Sequence, residues 1–512
     1  MYKTHSFTRF LGALIALSCV VSVSSFADSY AVKTVNPKST PVIETSLPDI
    51  SGYTHESVKQ KITKARQLPK GSVSQEYVRG QVELRLLYGG QGLFGMANKQ
   101  STVPTSLTIS KGVVELEEVN RAFPDLLIKQ NDGSYLAVVP IVVSIGGTLV
   151  IEGEMLKMSE ERGSFLVNGG HLFLSESALI GWRETSNVPA LYTGDKKKFR
   201  PYFVGWGDSE TYFSKADVRH LGYFSTKAFG VTLSSYQIKH SEEMFQRDNF
   251  DFHEPPRGWF IDTDFVDLYY GFYCFEAEDV AIINNTYIDN VVYGIDPHDI
   301  SSHLIIARNL VYGTKEKHGI IISRQVNDSF IFDNVSHSNY RSGIMLDRMS
   351  ERNQVVNNTV YNNGGDGITI YESNSNLIAN NKVYRNRSHG IRSRNSQYIV
   401  MKDNVVLSNK GFGIYLDIGD LSSHVHRDLV LDPYEQLSSG DVKGGIIAHN
   451  SSGSIYIKDG EYFSLYDVKI EDNGGKVGQL EFGGDLAKYH NDVVRALWTE
   501  RGVASLTRQE EF

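Results

Sequence analysis

Between residues 294 and 417 short apolar runs alternate with Gly, Asn and Asp at a nearly constant spacing. A Gly-Ile pair opens "GIDPHD", "GIIISR", "GIMLDR", "GITIYE", "GIRSRN" and "GIYLDI" at Gly294, Gly319, Gly343, Gly367, Gly390 and Gly413, in steps of 25, 24, 24, 23 and 23 residues. A second marker keeps the same time: Asn285, Asn309, Asn334, Asn358, Asn381 and Asn404 close the runs "IINN", "IIARN", "FIFDN", "QVVNN", "LIANN" and "VMKDN". Two markers sharing one period identify stacked supersecondary units. The runs are short and β-branched, with neither a helical period nor the leucine pattern of leucine-rich repeats. The predicted coil is therefore three short strands and three turns, and the fold class is all-β, a parallel β-helix.

Strand parity sorts each coil. The residue after the glycine is Ile in all six coils, and the third is Pro297, Ile322, Leu346, Ile370, Ser393 or Leu416, so both positions are predicted to face inward. The second (Asp296, Ile321, Met345, Thr369, Arg392, Tyr415) and fourth (His298, Ser323, Asp347, Tyr371, Arg394, Asp417) then face out. At the fifth, where the strand turns, stand Asp299, Arg324, Arg348, Glu372 and Asn395. Coils stack about 4.8 Å apart, so these columns make one continuous face. It is rich in Arg, Asp, Tyr and His where an ordinary solvated face carries Lys, Glu and Ser, which predicts recognition of a polar ligand. The Asn column is predicted to be an internal ladder whose amides satisfy buried turn backbone. That accounts for the sequons at Asn284 and Asn357 better than glycosylation does.

The period fades on both sides. "GFYCFEAED" at 271–279 aligns as one more coil, and "LAVVPIVVSIGGTLVIEG" and "SFLVNGGHLFLS" read as less regular ones. The β-helix is thus assigned to 101–512, with regular repeats at about 271–420. Residues 28–100, with a Pro-containing start and the helical "HESVKQKITKARQ", are assigned as an N-terminal helical cap over the open end of the stack. The next Gly-Ile after Gly413 comes 32 residues later at Gly445, which predicts a projecting loop around "SSHVHRDLVLDPYEQ". Its His424 and His426 lack a third ligand and read as solvated. "DLAKYHNDVVRALW" reads as an amphipathic closing segment.

At the start, Lys3 and Arg9 precede "FLGALIALSCVVSV", with Ser25 and Ala27 at the positions of a signal-peptidase site. Residues 1–27 are read as a secretory signal cleaved near Ala27. A lipoprotein start at Cys19 is disfavoured, because Ala16 stands where that pattern wants Leu. Without the signal the chain carries 49 Lys and Arg against 60 Asp and Glu, a formal charge of −11, which argues against nucleic acid as a partner. Cys274 is then the lone cysteine, so no intramolecular disulfide forms. No later segment reaches 18 consecutive apolar residues, so no membrane span is expected, and the predicted location is the periplasm.

The chemistry concentrates at "YGIDPHD", 293–299. His298 is the one imidazole at the outward positions of these coils, with Asp296 and Asp299 beside it and Ser323 and Arg324 one coil along. A neutral imidazole next to a guanidinium suits removal of a proton α to a carboxylate. The pair Asp296 and Asp299 equally suits glycoside hydrolysis. One His with two Asp selects no particular metal, so neither a metal nor another cofactor is expected.

The segments "YGIDPHD", "KEKHGIIISR" at 315–324, "DGITIYES" at 366–373 and "HGIRSRNS" at 389–396, with "PIVVSIGGTLVIEG" and "YYGFYCFEAED", resemble the periplasmic mannuronan C5-epimerases of alginate-producing bacteria, the AlgG type. The resemblance covers nearly the whole mature chain. It implies a right-handed parallel β-helix with an N-terminal cap, acting on polymannuronate during export, without a cofactor, beside other proteins of a periplasmic alginate secretion complex. It makes His298 the base at C5, Arg324 the clamp on the carboxylate, and Asp296 and Asp299 orienting groups. The returning proton would come from water or Tyr293, and Lys317, Ser323, Arg348, Tyr371, Glu372, Arg392 and Arg394 would hold neighbouring uronates. The family commonly continues the motif with Arg-Ser, where this chain has Ile300. The rival expectations are a polysaccharide lyase, marked by an unsaturated product, a hydrolase, marked by new reducing ends, and a non-catalytic polyuronate-binding scaffold indifferent to His298.

Overall fold

A computed structural model describes residues 30–34, 45–88, 99–100, 103–235, 254–423, 427–430, 432–499 and 503–509. The signal segment 1–27 and the loop histidines His424 and His426 lie outside the described residues. Ile295, Ile320, Ile344, Ile368, Ile391 and Ile414 pair in parallel register from strand to strand, and all six sit in one continuous core. Each buried isoleucine contributes about 1.5–3 kcal/mol, and a one-residue slip would turn the whole column out to water. The preceding glycines answer to crowding. A Cβ on Gly294 would stand 2.4 Å from Val311 Cγ1 and 2.6 Å from the Gly319 carbonyl oxygen.

Three fifteen-stranded sheets wrap the core, and, apart from a few antiparallel strands at the ends and edges, neighbours within a sheet lie one coil apart in sequence. With the right-handed crossover that parallel strands impose, this is a right-handed parallel β-helix. Six strands of the front sheet concern the site: β1 (Tyr293–His298), β2 (Ile320–Ser323), β3 (Ile344–Asp347), β4 (Ile368–Tyr371), β5 (Ile391–Arg394) and β6 (Phe412–Asp417). The irregular upstream runs are coils too, with Ile141–Val143 and Leu166–Asn168 in the front sheet and Gly147–Glu152 and His171–Ser175 on a flank.

The Asn column is a buried ladder. Asn309 N–H donates to Asn334 Oδ1 at 2.9 Å, and its side-chain amide donates to the same oxygen and to the Ile282 carbonyl, each at 2.9 Å. The residues before the ladder, including Asn284 and Asn357, are left-handed turn residues with φ of 58° and 57°. A second ladder, unforeseen, runs from Thr314 through Asn339, Asn363, Asn386, Asn409 and Asn450 to Asn473.

One expectation about the near end changes. Helix α1 (His55–Ala65) lies on the flank, with Val58 and Ile62 packed near Phe173 and Tyr212, because its apolar stripe finds an open sheet face there. The near end is closed instead by Ser72–Tyr77, which pairs antiparallel with Thr105–Ser110, and by α2 (Leu116–Ala122), whose Leu116 and Val119 enter the core. At the far end α3 (His490–Thr499) inserts Val493 and Ala496, while Tyr30–Thr34 and Val503–Arg508 form an antiparallel pair. Gly445 also leaves the Gly-Ile column. Ile446 pairs with Val405 on another sheet, and the front column resumes at Ile455 opposite Ile414. Gly445 is a turn glycine with φ of 80°.

Candidate active site

The turn after each front strand is built the same way. Asp299, Arg324 and Arg348 have φ of 39°, 62° and 53°, a region that disfavours side chains. The stack holds them there: Asp299 N–H donates to the Ser323 carbonyl at 3.0 Å, Arg324 N–H to that of Asp347 at 3.0 Å, and Arg348 N–H to that of Tyr371 at 2.9 Å. These charged side chains are thereby thrown outward at the mouth of a cavity of about 270 Å³ on the first three coils.

His298, Asp296, Tyr293, Ser323, Asp347 and Arg348 share that cavity. Asp299 Oδ2 is hydrogen-bonded to His298 Nδ1, which leaves Nε2 toward the cavity. Burial alone would lower the His298 pKa, but the bond to Asp299 and the charges of Asp296 and Asp299 outweigh it, and the pKa is raised. Asp296 is buried, and its Oδ1 has no hydrogen-bond partner among the described residues. Burial pushes its carboxyl up to about 7, with His298 opposing and Asp299 and Asp347 adding. Burial likewise lifts Asp347 to about 6 against the pull of Arg348, while Ser323 Oγ donates to Asp347 Oδ2 at 3.2 Å. Such environments keep carboxyls partly protonated near neutral pH.

An aromatic wall closes the N-terminal side. Phe229 stacks on Tyr270 at 4.7 Å and meets Tyr273 edge-on at 4.9 Å, and the Tyr273 ring lies 5.9 Å from the His298 ring. Burial raises the Tyr270, Tyr273 and Tyr293 phenols, so all three are neutral.

Arg324 is near this cavity without lining it. Its Nη1 lies 3.7 Å from Asp299 Oδ1, and its Nη2 donates to Asp432 Oδ2 at 3.0 Å. Arg348 shares that oxygen at 3.3 Å. Farther along, Arg392 forks onto Asp417 at 3.4 and 3.1 Å, and Arg394 lies 3.7 Å above the Tyr371 ring and pairs with Glu372 at 2.8 Å. Glu372 is buried between Arg394 and Arg427, the latter at 2.6 Å, and borders a second pocket with Tyr434 and Glu435. Lys317 is half-buried, its pKa lowered by burial and by Arg341. Ile300 is exposed at the turn beside Asp299.

Phe229, Tyr270, Tyr273, Asp347 and Asp432 were not singled out from sequence. Tyr273 stands second after Gly271 in "GFYCFEAED", and Asp347 in the same column as His298, so strand parity faces both outward, whereas Tyr270 precedes that glycine and is not placed by it. Phe229 and Asp432 stand in stretches without a period, and nothing in sequence assigns them to the site.

A family model described as Periplasmic copper-binding protein (NosD) matches residues 257–427. Among the described residues, the donors there do not fit copper. Cys274 is buried, with burial pushing its thiol up to about 12. His318 and His389 accept from the backbone of Ser342 and Phe412, and among the described residues no three His, Cys, Asp or Glu gather as a metal site. The chain is 41% identical over 455 residues to a mannuronan C5-epimerase of Pseudomonas putida, covering 88% of this chain and 85% of that one. It is 44% identical over 445 residues to the mannuronan C5-epimerase AlgG of Azotobacter vinelandii, covering 86% and 82%. A solved periplasmic alginate epimerase AlgG superposes with a TM-score of 0.78 at 39% identity, over 85% of this chain and 99% of that one.

Proposed function

Since this chain belongs to the mannuronan C5-epimerase family, we propose a division of labour among its residues for that reaction. The protein is an isomerase of the periplasm that converts mannuronate to guluronate within the alginate chain. C5 must lose its proton from one face and regain one on the other. His298 Nε2 takes H5, the electron pair passes into the C6 carboxylate, and a proton returns from Tyr293 or water. The observation that carries this is the Asp299 contact to Nδ1, which sets the tautomer with Nε2 as acceptor. Tyr293 and His298 stand at the two ends of β1, about 16 Å apart at ~3.3 Å per residue, which leaves a sugar ring room between their side chains.

Charge grows on the C6 carboxylate as H5 leaves. Arg324 and Arg348 meet it as paired cations, and Asp296 in its protonated form donates to it. The chain's own groups account for these steps without a cofactor. Lys317, Tyr371, Arg392 and Arg394 serve flanking uronates. Residues 1–27 are removed near Ala27 on export, and other proteins of the alginate secretion apparatus work alongside.

Polymannuronate incubated in D2O should yield guluronate carrying deuterium at C5 by NMR, without ultraviolet absorbance. An unsaturated product would make the chain a lyase, and new reducing ends without absorbance a hydrolase.

A further inference from the structure

We propose that Asp432 is a positioning residue of the reaction: it holds Arg324 and Arg348 as a pair at the rim of the His298 cavity and keeps Arg324 from closing onto Asp299. The inference rests on the assignment of Arg324 as the carboxylate clamp. Asp432 belongs to the insert that leaves the stack after β6, four coils beyond Arg324, about 19 Å at ~4.8 Å per coil. The insert therefore runs back along the rim against the direction of the stack.

Its course is pinned on the way. Arg427 donates to Glu372 Oε2 at 2.6 Å and, through Nε, to the Asp432 carbonyl at 3.0 Å. The Arg427 guanidinium lies 5.3 Å from the Tyr434 ring centre, and the Tyr434 hydroxyl accepts from Leu421 N–H at 2.8 Å. One arginine thus grips both the stack and the backbone of the residue that carries the carboxylate. The Asp432 side chain is 5% exposed, against 37% for Arg324 and 28% for Arg348, so the carboxylate end of both pairs is withdrawn from solvent.

Arg324 stands between two carboxylates, Asp432 at 3.0 Å and Asp299 at 3.7 Å. The other oxygen of Asp299 holds His298. Without Asp432 the guanidinium has one anion left to follow, and drawing onto Asp299 it would weaken the bond that orients the base. The line Asp432, Arg324, Asp299, His298 thus couples the insert to proton abstraction. An anchoring role for Asp432 alone would not reach the base.

The test uses the full mature protein on long polymannuronate, with kcat, KM and the pH profile of kcat/KM for Asp432→Asn, Asp432→Ala, Asp432→Glu, Arg324→Lys and the double variant Asp432→Ala with Arg324→Lys. His298 is faced by Asp296, Asp299, Arg324, Tyr273, Ser323, Asp347 and Arg348. Asp432→Asn and Asp432→Ala should each lower kcat ten- to hundredfold while KM stays within threefold. The acid limb should move to lower pH, because Asp299, engaged by Arg324, no longer supports the imidazolium. Asp432→Glu should recover part of kcat, and the double variant should be within twofold of Arg324→Lys. A folded Asp432→Asn with normal kcat and limb, a change in KM alone, or multiplied losses in the double variant would overturn the proposal. So would failure of both Asp432→Asn and Asp432→Ala to fold, which would make the residue a folding anchor. If Arg324→Lys turns over normally, the clamp assignment itself fails. If Arg324→Lys is impaired and Asp432→Asn is not, only the positioning role fails.

Discussion

The two halves of the front face carry the same kinds of side chain and use them differently. On the lower coils the arginines are matched within the stack: Arg392 forks onto Asp417, and Arg394 lies between Glu372 and the Tyr371 ring. On the upper coils the books are left open. Asp296 and Asp347 are buried carboxyls lifted toward neutrality, Asp296 Oδ1 has no partner among the described residues, and two arginines share one carboxylate. A column of charges is thus no evidence of catalysis by itself. On the proposed assignment, what marks the reacting end is polarity the fold has left unsatisfied, for a ligand to complete.

The largest effect is expected at the base. His298→Asn should lower kcat by about a thousandfold or more, within the range for loss of a general base combined with wrong tautomer geometry. Its melting temperature should stay near the parent's, because the ring faces the cavity and not the core. An active variant would move the reacting end elsewhere on the face, and a large fall in melting temperature would refute the parity assignment.

Replacing one arginine from each half sharpens the contrast further. Arg324→Lys keeps the charge and loses the fork, and should cost about ten- to hundredfold in kcat, because the second prong matters most as charge builds on the carboxylate. Arg392→Lys should raise KM a few-fold on long chains with kcat nearly normal. Equal behaviour of the two would erase the distinction.

A smaller effect is a change of pH profile. With His298 as the base and Asp296 as the donor, as proposed above, activity should require His298 unprotonated, a condition gained as pH rises through its raised pKa, and Asp296 protonated, a condition lost as pH rises through about 7. The two titrate as a coupled pair, so the limbs of the bell in kcat/KM belong to both. Asp296→Asn keeps a donor at all pH values and should abolish the alkaline limb. It should also move the acid limb down, because the charge of Asp296 helps hold the His298 proton. An unchanged alkaline limb would remove Asp296 from the donor role.

The smallest effect on turnover is expected inside the stack. Asn358 donates to the Ile331 carbonyl at 2.8 Å and accepts from Asn334. Asn358→Ala should destabilise by about 1–3 kcal/mol, read as a lower denaturant midpoint, with kcat per folded molecule unchanged. Lost activity at full stability would turn that column toward the substrate.

The parts of this molecule that repeat could be read before folding, because one environment stamped the same residue six times. The Ile column and the first Asn ladder are of that kind. The second ladder was equally present, four residues before most of the glycines, but Thr314 stands in it at five and blurs the spacing. Helix α1 was legible as a helix, although an amphipathic stripe says that it packs and not against what. Gly445 imitated the front column because spacing cannot tell a glycine that leads into a front strand from a turn glycine with φ of 80°. Asp432 was out of reach, since the course of an insert depends on contacts such as Arg427 with Glu372 that have no period.

The turn that follows each front strand has a consequence for the history and redesign of such proteins. Asp299, Arg324, Arg348, Glu372 and Asn395 share one backbone shape, with φ between 39° and 62°, and each N–H is held by the carbonyl of the next coil. The main chain is secured by its neighbours, so an acid, a base or an amide can occupy the same socket without asking the core to repack. Mutation can therefore sample new chemistry along this edge one coil at a time, and a polymer-processing surface can be rewritten while the scaffold that carries it is inherited intact.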